Sequence, residues 1–461
     1  MGYSTYLLPQ LVPAMPPTSA ERSQLAHLLR RAGFGARPSE WREYLQLGVA
    51  GTTQKLLHPE TVPDQFDALL ETIGGNFVDL DTLDGARNWW IFRMAQSKRP
   101  LEEKMTLFWH NHFATANYKV NNPRWMAGQI ETFRKHALGN FRSMLLAMMR
   151  DPAMLVWLDG ARNKVGAPNE NFAREILELF TVGAGNGYTE KDIQEAARSF
   201  TGWMYDGNTR TFTYNPFLHD DGWKTFLGRS GNFHGDDIVE IIAAQPTTGR
   251  YLATKLWKFF VSDNVPKAEV DRLAQIYLKS GYEMRPVMEA LLTSPLFYAD
   301  TARYSLIKSP VEYVVNAMRT FDVPLLAIRN LPGHISSMGQ ELLNPPDVAG
   351  WPGGTEWINT RTLLARVNFS SAVTTEMNRR GTLAERMKTE LLVPNADLSS
   401  PESMVNSVWE ALLPGKPMGE RTRPALLAYV QEGARDGKIN VNAKLPGLTS
   451  LIMGTPEYQM A

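Results

Sequence analysis

Apolar positions along this chain recur mostly at helical spacing. Between 84 and 98, Ala86, Trp89, Trp90, Arg93 and Met94 follow the i, i+3, i+4, i+7 pattern, with Asp84 placed to cap the turn before them. Pro100 suits a first helical position, and Glu102 and Glu103 behind it suit the positive end of a helix dipole. Met105, Phe108, Trp109, His112 and Phe113 make the next stripe. Asn122-Pro123 opens a third helix, closed by Gly139, and Asn140 opens a fourth that stops at Asp151-Pro152. Such a succession of helices with short connections predicts a bundle-like core.

The pattern breaks in three places. "DGARNKVGAPNEN", 159–171, is polar and glycine-containing and predicts a loop feeding the helix of "NFAREILELF", whose Phe172, Ile176, Leu179 and Phe180 share a face. Thr189 and Asp192 stand at capping-box spacing ahead of the next helix. Over 207–232 the period shifts towards two: "TRTFTYN" and "WKTFLG" alternate like strands, with "PFLHDDG" as turn between them, which predicts a small inserted β-hairpin. Helices resume near 236, the clearest being "GRYLATKLWKFFV", and continue through "SPVEYVVNAMRTF". "LNPPDVAGWPGGTEWINT", 343–360, is a second irregular stretch. The expected fold is therefore mainly α, a multi-helix bundle-like core with a β-hairpin insertion. Residues 1–24 are expected to be an extended segment, 25–375 the helical core, and 376–461 a helical region packed on it.

Composition narrows the chemistry. The 461 residues are 43% hydrophobic and 21% charged, as in globular proteins. Lys+Arg and Asp+Glu number 48 each, so no net charge argues for nucleic acid as a partner. Cysteine is absent, which excludes thiolate nucleophiles, disulfides, iron–sulfur clusters and cysteine-held zinc; any metal needs His, carboxylate or neutral oxygen ligands. No apolar run reaches the roughly 18–20 residues of a spanning helix. "MGYSTYLLPQLVPAMPP" lacks the charged start and apolar stretch of a secretory signal, so the expectation is a cytoplasmic protein as written, exported if a leader has been removed.

Taken together, "HLLRRAGFGARPSEW", "FWHNHFAT", "NENFAREILELFTVGAGNGYTEKDIQEAARSFTGW", "HDDGWKTFLG" and "NPPDVAGWPGGTEWIN" resemble, in family order, the bacterial family catalogued as domain of unknown function 1800, from about residue 25 to about residue 375. The resemblance implies a shared fold and, for many members, a leader ahead of the "HLLRRAGFG" string, from which this chain departs. It implies no activity, so the chemistry is read from the residues.

Three groups carry candidate chemistry. His110 and His112 bind one ion if the backbone there is extended; on a continuous helix they diverge by roughly 200° and one of them faces the core. Asn171, Glu175 and Glu178 fall at i, i+4 and i+7 beside Arg174 and Glu170: paired carboxylates for a metal or for acid–base work, or an Arg174–Glu178 surface pair. "HDDGWK" offers His219, Asp220 and Lys224 in a turn, where Asp220, Asp221 and Gly222 also suit plain turn chemistry. His234 reads as a helix-entry residue, and His27, His58, His136 and His334 as structural. Trp351 and Trp357 form a sugar-stacking rim or pin their loop. "RRAGFG" lacks phosphate-loop spacing, and neither a GxSxG elbow nor HExxH occurs. The expected function is a metal-dependent enzyme, a hydrolase before other classes, of unknown substrate. It would hold a divalent metal on His110, His112, Glu178, His219 and Asp220. Glu170, Glu175 and Lys224 would be catalytic, and Asn171, Arg174, Trp351 and Trp357 would contact a small molecule, glycan or protein. The alternative is a non-enzymatic helical scaffold or binding module.

Overall fold

In a computed structural model, residues 18–73, 77–209, 211–380, 397–432 and 440–461 are described. They form a mainly α-helical protein with two small antiparallel hairpins. Residues 1–17 of the expected N-terminal extended segment lie outside the described residues; from Ser19 the chain is helical, with Thr18 and Glu21 closing a capping box.

The Leu83–Gln96 helix is central. It packs on the helices Pro100–His112, Pro123–Lys135, Pro310–Thr320 and Leu331–Ser337, so the consecutive residues Trp89, Trp90, Ile91 and Phe92, which leave it on different sides, are all buried. Burial all round explains why a single amphipathic stripe under-describes this helix. Its cap is the Thr82 hydroxyl, which accepts from Gly85 N–H at 3.1 Å; Asp84 instead pairs with Arg87. Asn122, Asn140 and Asp151 each cap the helix that follows, so Asp151-Pro152 begins an element as well as ending one. Glu103 is fully buried between Arg134 (2.5 and 3.1 Å) and Arg93 (3.2 Å), tying three core helices together. The "RRAGFG" string is structural wiring: Arg31 donates to the Ala302 carbonyl, and Arg319 reaches the Gly35 carbonyl. At the far end, the Thr360–Arg379 helix packs along Val441–Gly454, and Lys308 N–H donates to the Gln459 carbonyl.

The β insertion differs in detail from the expected single hairpin. β1 (Trp203–Asp206) pairs with β2 (Thr211–Tyr214), and β3 (Lys224–Phe226) pairs with β4 (Arg229–Gly231). The two alternating stretches each find a partner beside them rather than each other. In the second hairpin both turn residues, Leu227 (φ 46°) and Gly228 (φ 76°), are left-handed, as a tight two-residue turn requires, and a leucine there is a poor sequence signal. "PFLHDDG" lies between the hairpins as a short 3₁₀ turn and an open loop.

Candidate functional site

The Pro100–His112 helix runs unbroken through the histidine pair, so the two imidazoles leave it on different sides. His110 is fully buried; its Nε2 accepts from Leu343 N–H at 3.3 Å, and burial pushes its pKa down to about 3. Leu343 sits at φ 63°, a strained position for leucine. It is held between that imidazole and Asn117 N–H, which donates to its carbonyl. Asn111, between the histidines, accepts from Trp351 N–H at 2.7 Å, and Gly350 beside it has φ 84° and room for no Cβ, since one would stand 2.3 Å from Asn111 Oδ1. His112 Nε2–H donates to the Phe180 carbonyl at 2.9 Å. "FWHNHFAT" is thus a clamp on two other segments, the 343–351 loop and the helix after Glu175.

That helix changes pitch. Glu170–Glu175 is α-helical and Ile176–Thr181 is a π-helical turn, with Val182 N–H bonding back to the Leu177 carbonyl. Arg174 is the hub of an ion-pair cluster with Glu190 (2.7 Å), Glu170 (3.5 Å) and Glu178 (3.5 Å), which holds the guanidinium protonated. Burial, and then the Glu178 charge, raises the Glu175 pKa. Asn171 is exposed, its N–H bonded to Asn169. The acidic helix and the histidine pair do not meet in one cluster of ligand atoms.

The loop between the hairpins is different. His219 is 5% exposed; its Nδ1–H donates to the Thr201 carbonyl at 2.9 Å, which leaves the buried Nε2 as an unpartnered lone pair. Burial, chiefly, lowers its pKa and keeps it neutral. The His234 ring stacks on it, centroids 4.3 Å apart and planes 12° from parallel. Ligand atoms of His219, Asp221 and His234 all lie within 4.8 Å of one another, the one such group of three among the described residues. His234 is the N-cap residue of the Gly235–Ala243 helix, as its sequence position suggests, and its N–H donates to Asp237. Gly235 next to it admits the Trp203 ring 2.3 Å from where a Cβ would stand, so β1 fixes the helix entry.

The neighbours hold this loop in shape. Asp220 makes a two-point pair with Arg198 (2.8 and 3.0 Å) and accepts Gly222 N–H; the Arg198 bond first of all brings its pKa to about 2. Its carboxylate is committed, and Asp221, one residue on and exposed, is the one facing the imidazoles. Lys224 is 1% exposed and donates to the carbonyls of Asp220 and Gly222 (3.0 Å), so it braces the turn. Phe217 (90% exposed) and Trp223 (71%) flank His219 and Asp221 in the same loop.

Trp351 and Trp357 lie elsewhere, both 7% exposed, on a cavity of about 410 Å³ that His112 also lines.

The chain matches the family described as "Protein of unknown function (DUF1800)" over residues 27–460. It belongs to that family. The match runs well past residue 375, so the family region includes the C-terminal helices. No curated protein and no solved structure matches the chain. Membership of DUF1800 places the fold in a family and leaves the chemistry to the site. No helix among the described residues is long and apolar enough to cross a membrane.

Proposed function

We propose that this protein is a metal-dependent hydrolase whose divalent ion is held by His219, Asp221 and His234. The observation that carries the reading is the gathering of ligand atoms of His219, Asp221 and His234 within 4.8 Å of one another, in a group where His219 keeps a buried, unpartnered Nε2. Its Nδ1–H bond to the Thr201 carbonyl is the outer-shell support that metal-bound histidines need to hold their tautomer and direction. Two histidines and one carboxylate suit zinc or another borderline divalent ion, and three protein ligands leave positions open. His234 is partly exposed and Asp221 exposed, so the open positions would face solvent and substrate. A bound ion supplies there a lowered pKa for a coordinated water. The chain's own residues do the rest. Arg198, Asp220 and Lys224 keep the loop rigid, and exposed Phe217 and Trp223 offer apolar surface beside the ligands.

The test is hydrolysis of an aryl ester and an aryl phosphate by chelator-treated protein, before and after stoichiometric zinc or manganese. The reading expects activity that returns with metal and is lost in His219→Asn and His234→Asn of unchanged helical content. Activity equal in both variants and wild type contradicts it.

A further inference from the structure

Tyr214 ends β2, directly across the ladder from Trp203. The chain just ahead of β1 makes room for its ring. Gly202 has φ 81°, and its N–H donates to the Asn163 carbonyl while its own carbonyl accepts Asn215 N–H. A Cβ there would stand 2.5 Å from the Asn215 carbonyl oxygen, 3.3 Å from His219 N and 3.4 Å from Tyr214 Cε2. One glycine therefore lets the phenol ring and the His219 backbone close on the same spot.

From that position Tyr214 adjoins all three proposed ligands. Its ring meets His219 and His234 edge-on, centroids 5.7 and 6.3 Å apart, and Asp221 is near enough for its charge to act on the phenol. Its hydroxyl is reachable, since the residue is 41% exposed, and it makes no hydrogen bond to any described residue. The packed tyrosines of this protein behave otherwise: Tyr251, Tyr277 and Tyr313 each give the hydroxyl proton to a carbonyl. The charged donors of the loop are spent as well, Arg198 on Asp220 and Glu195, and Lys224 on the Asp220 and Gly222 carbonyls. Tyr214 thus brings an uncommitted neutral donor to the ligand cluster on a side chain whose ring is already held.

We infer that Tyr214 is a catalytic residue of the proposed hydrolase, its O–H donating a hydrogen bond to the substrate oxygen on which charge develops. The inference rests on the metal reading of His219, Asp221 and His234. Attack of water on an ester carbonyl forms the new carbon–oxygen bond and moves the carbonyl electron pair onto oxygen, the atom that accepts from Tyr214. Collapse breaks the bond to the leaving alcohol, which departs with the proton that the water gives up, and Tyr214 keeps its own proton throughout. A positioned donor of this kind acts more strongly on the transition state than on the ground state. The experiment compares the full zinc-loaded chain with Tyr214→Phe, which keeps the ring and its packing and removes only the hydroxyl. Zinc-to-chain ratio, helical content, and kcat and KM for para-nitrophenyl acetate are read for both. The expected result is unchanged zinc, helical content and KM, with kcat lower by about a hundredfold. An unchanged kcat overturns the inference, because a ring that only packs is fully replaced by phenylalanine. A rise in KM alone overturns it too, as does loss of zinc from the variant, which makes the phenol a metal ligand. A wild type that shows no metal-dependent hydrolysis fails the metal reading itself, and Tyr214 then has no catalytic role to play.

Discussion

At the scale of single residues, what a polar group does here depends on whether its bonds are already spent. Asp220 and Asp221 are adjacent and identical in type, yet one is locked on Arg198 and the other faces two imidazoles. Which of the two would be free was not legible in "HDDG", because Arg198 comes from a helix the string does not contain. Glu103 is the opposite extreme, a fully buried carboxylate satisfied by Arg93 and Arg134. Removing it leaves two buried guanidiniums with only their outer partners, Asp64 for Arg93 and Glu131 for Arg134, so Glu103→Ala is expected to cost about 3 kcal/mol. Glu170→Ala, in the partly exposed Arg174 cluster, is expected to cost at most about 1 kcal/mol; denaturant midpoints compare the two.

At the scale of elements, periodicity and capping chemistry foretold many of the core helices, including the box at Thr189–Asp192 and the proline starts at Pro100, Pro123 and Pro310. The mainly α fold with a small β insertion was legible for that reason. Strand pairing was not, since alternation says which face a residue takes and not which strand lies next to it. The π-turn at Ile176–Thr181 was equally hidden. Side chains from distant helices, Tyr251 and His112, bond the carbonyls of its last turn, and no local pattern reports that. Tyr251→Phe removes one of them, the bond to the Leu179 carbonyl at 2.8 Å. The expected loss is about 0.5–1.5 kcal/mol, with faster amide exchange confined to residues around 176–182. Unchanged exchange there speaks against the turn depending on that bond.

At the scale of the whole molecule, the expected ligands did not gather in one place. The histidine pair became a clamp between segments, the acidic helix an ion-pair hub, and the hairpin loop the one cluster with free ligand atoms among the described residues. His234 joined that cluster from fifteen residues downstream of His219, a partnership that only the fold of β3 and β4 creates. A metal that binds the folded chain stabilises it by mass action, so zinc at a hundred times its dissociation constant is expected to add about 2.7 kcal/mol. That increment should vanish in His219→Asn, as read by denaturant unfolding with and without zinc.

The most direct test of the central claim is the zinc-to-chain ratio after equilibrium dialysis, for the wild type, Asp221→Asn/His234→Asn and Glu178→Gln. The account predicts about one zinc per chain in the wild type and in Glu178→Gln, and none retained by the double variant. A double variant that keeps its zinc, or a wild type that takes up none, contradicts it.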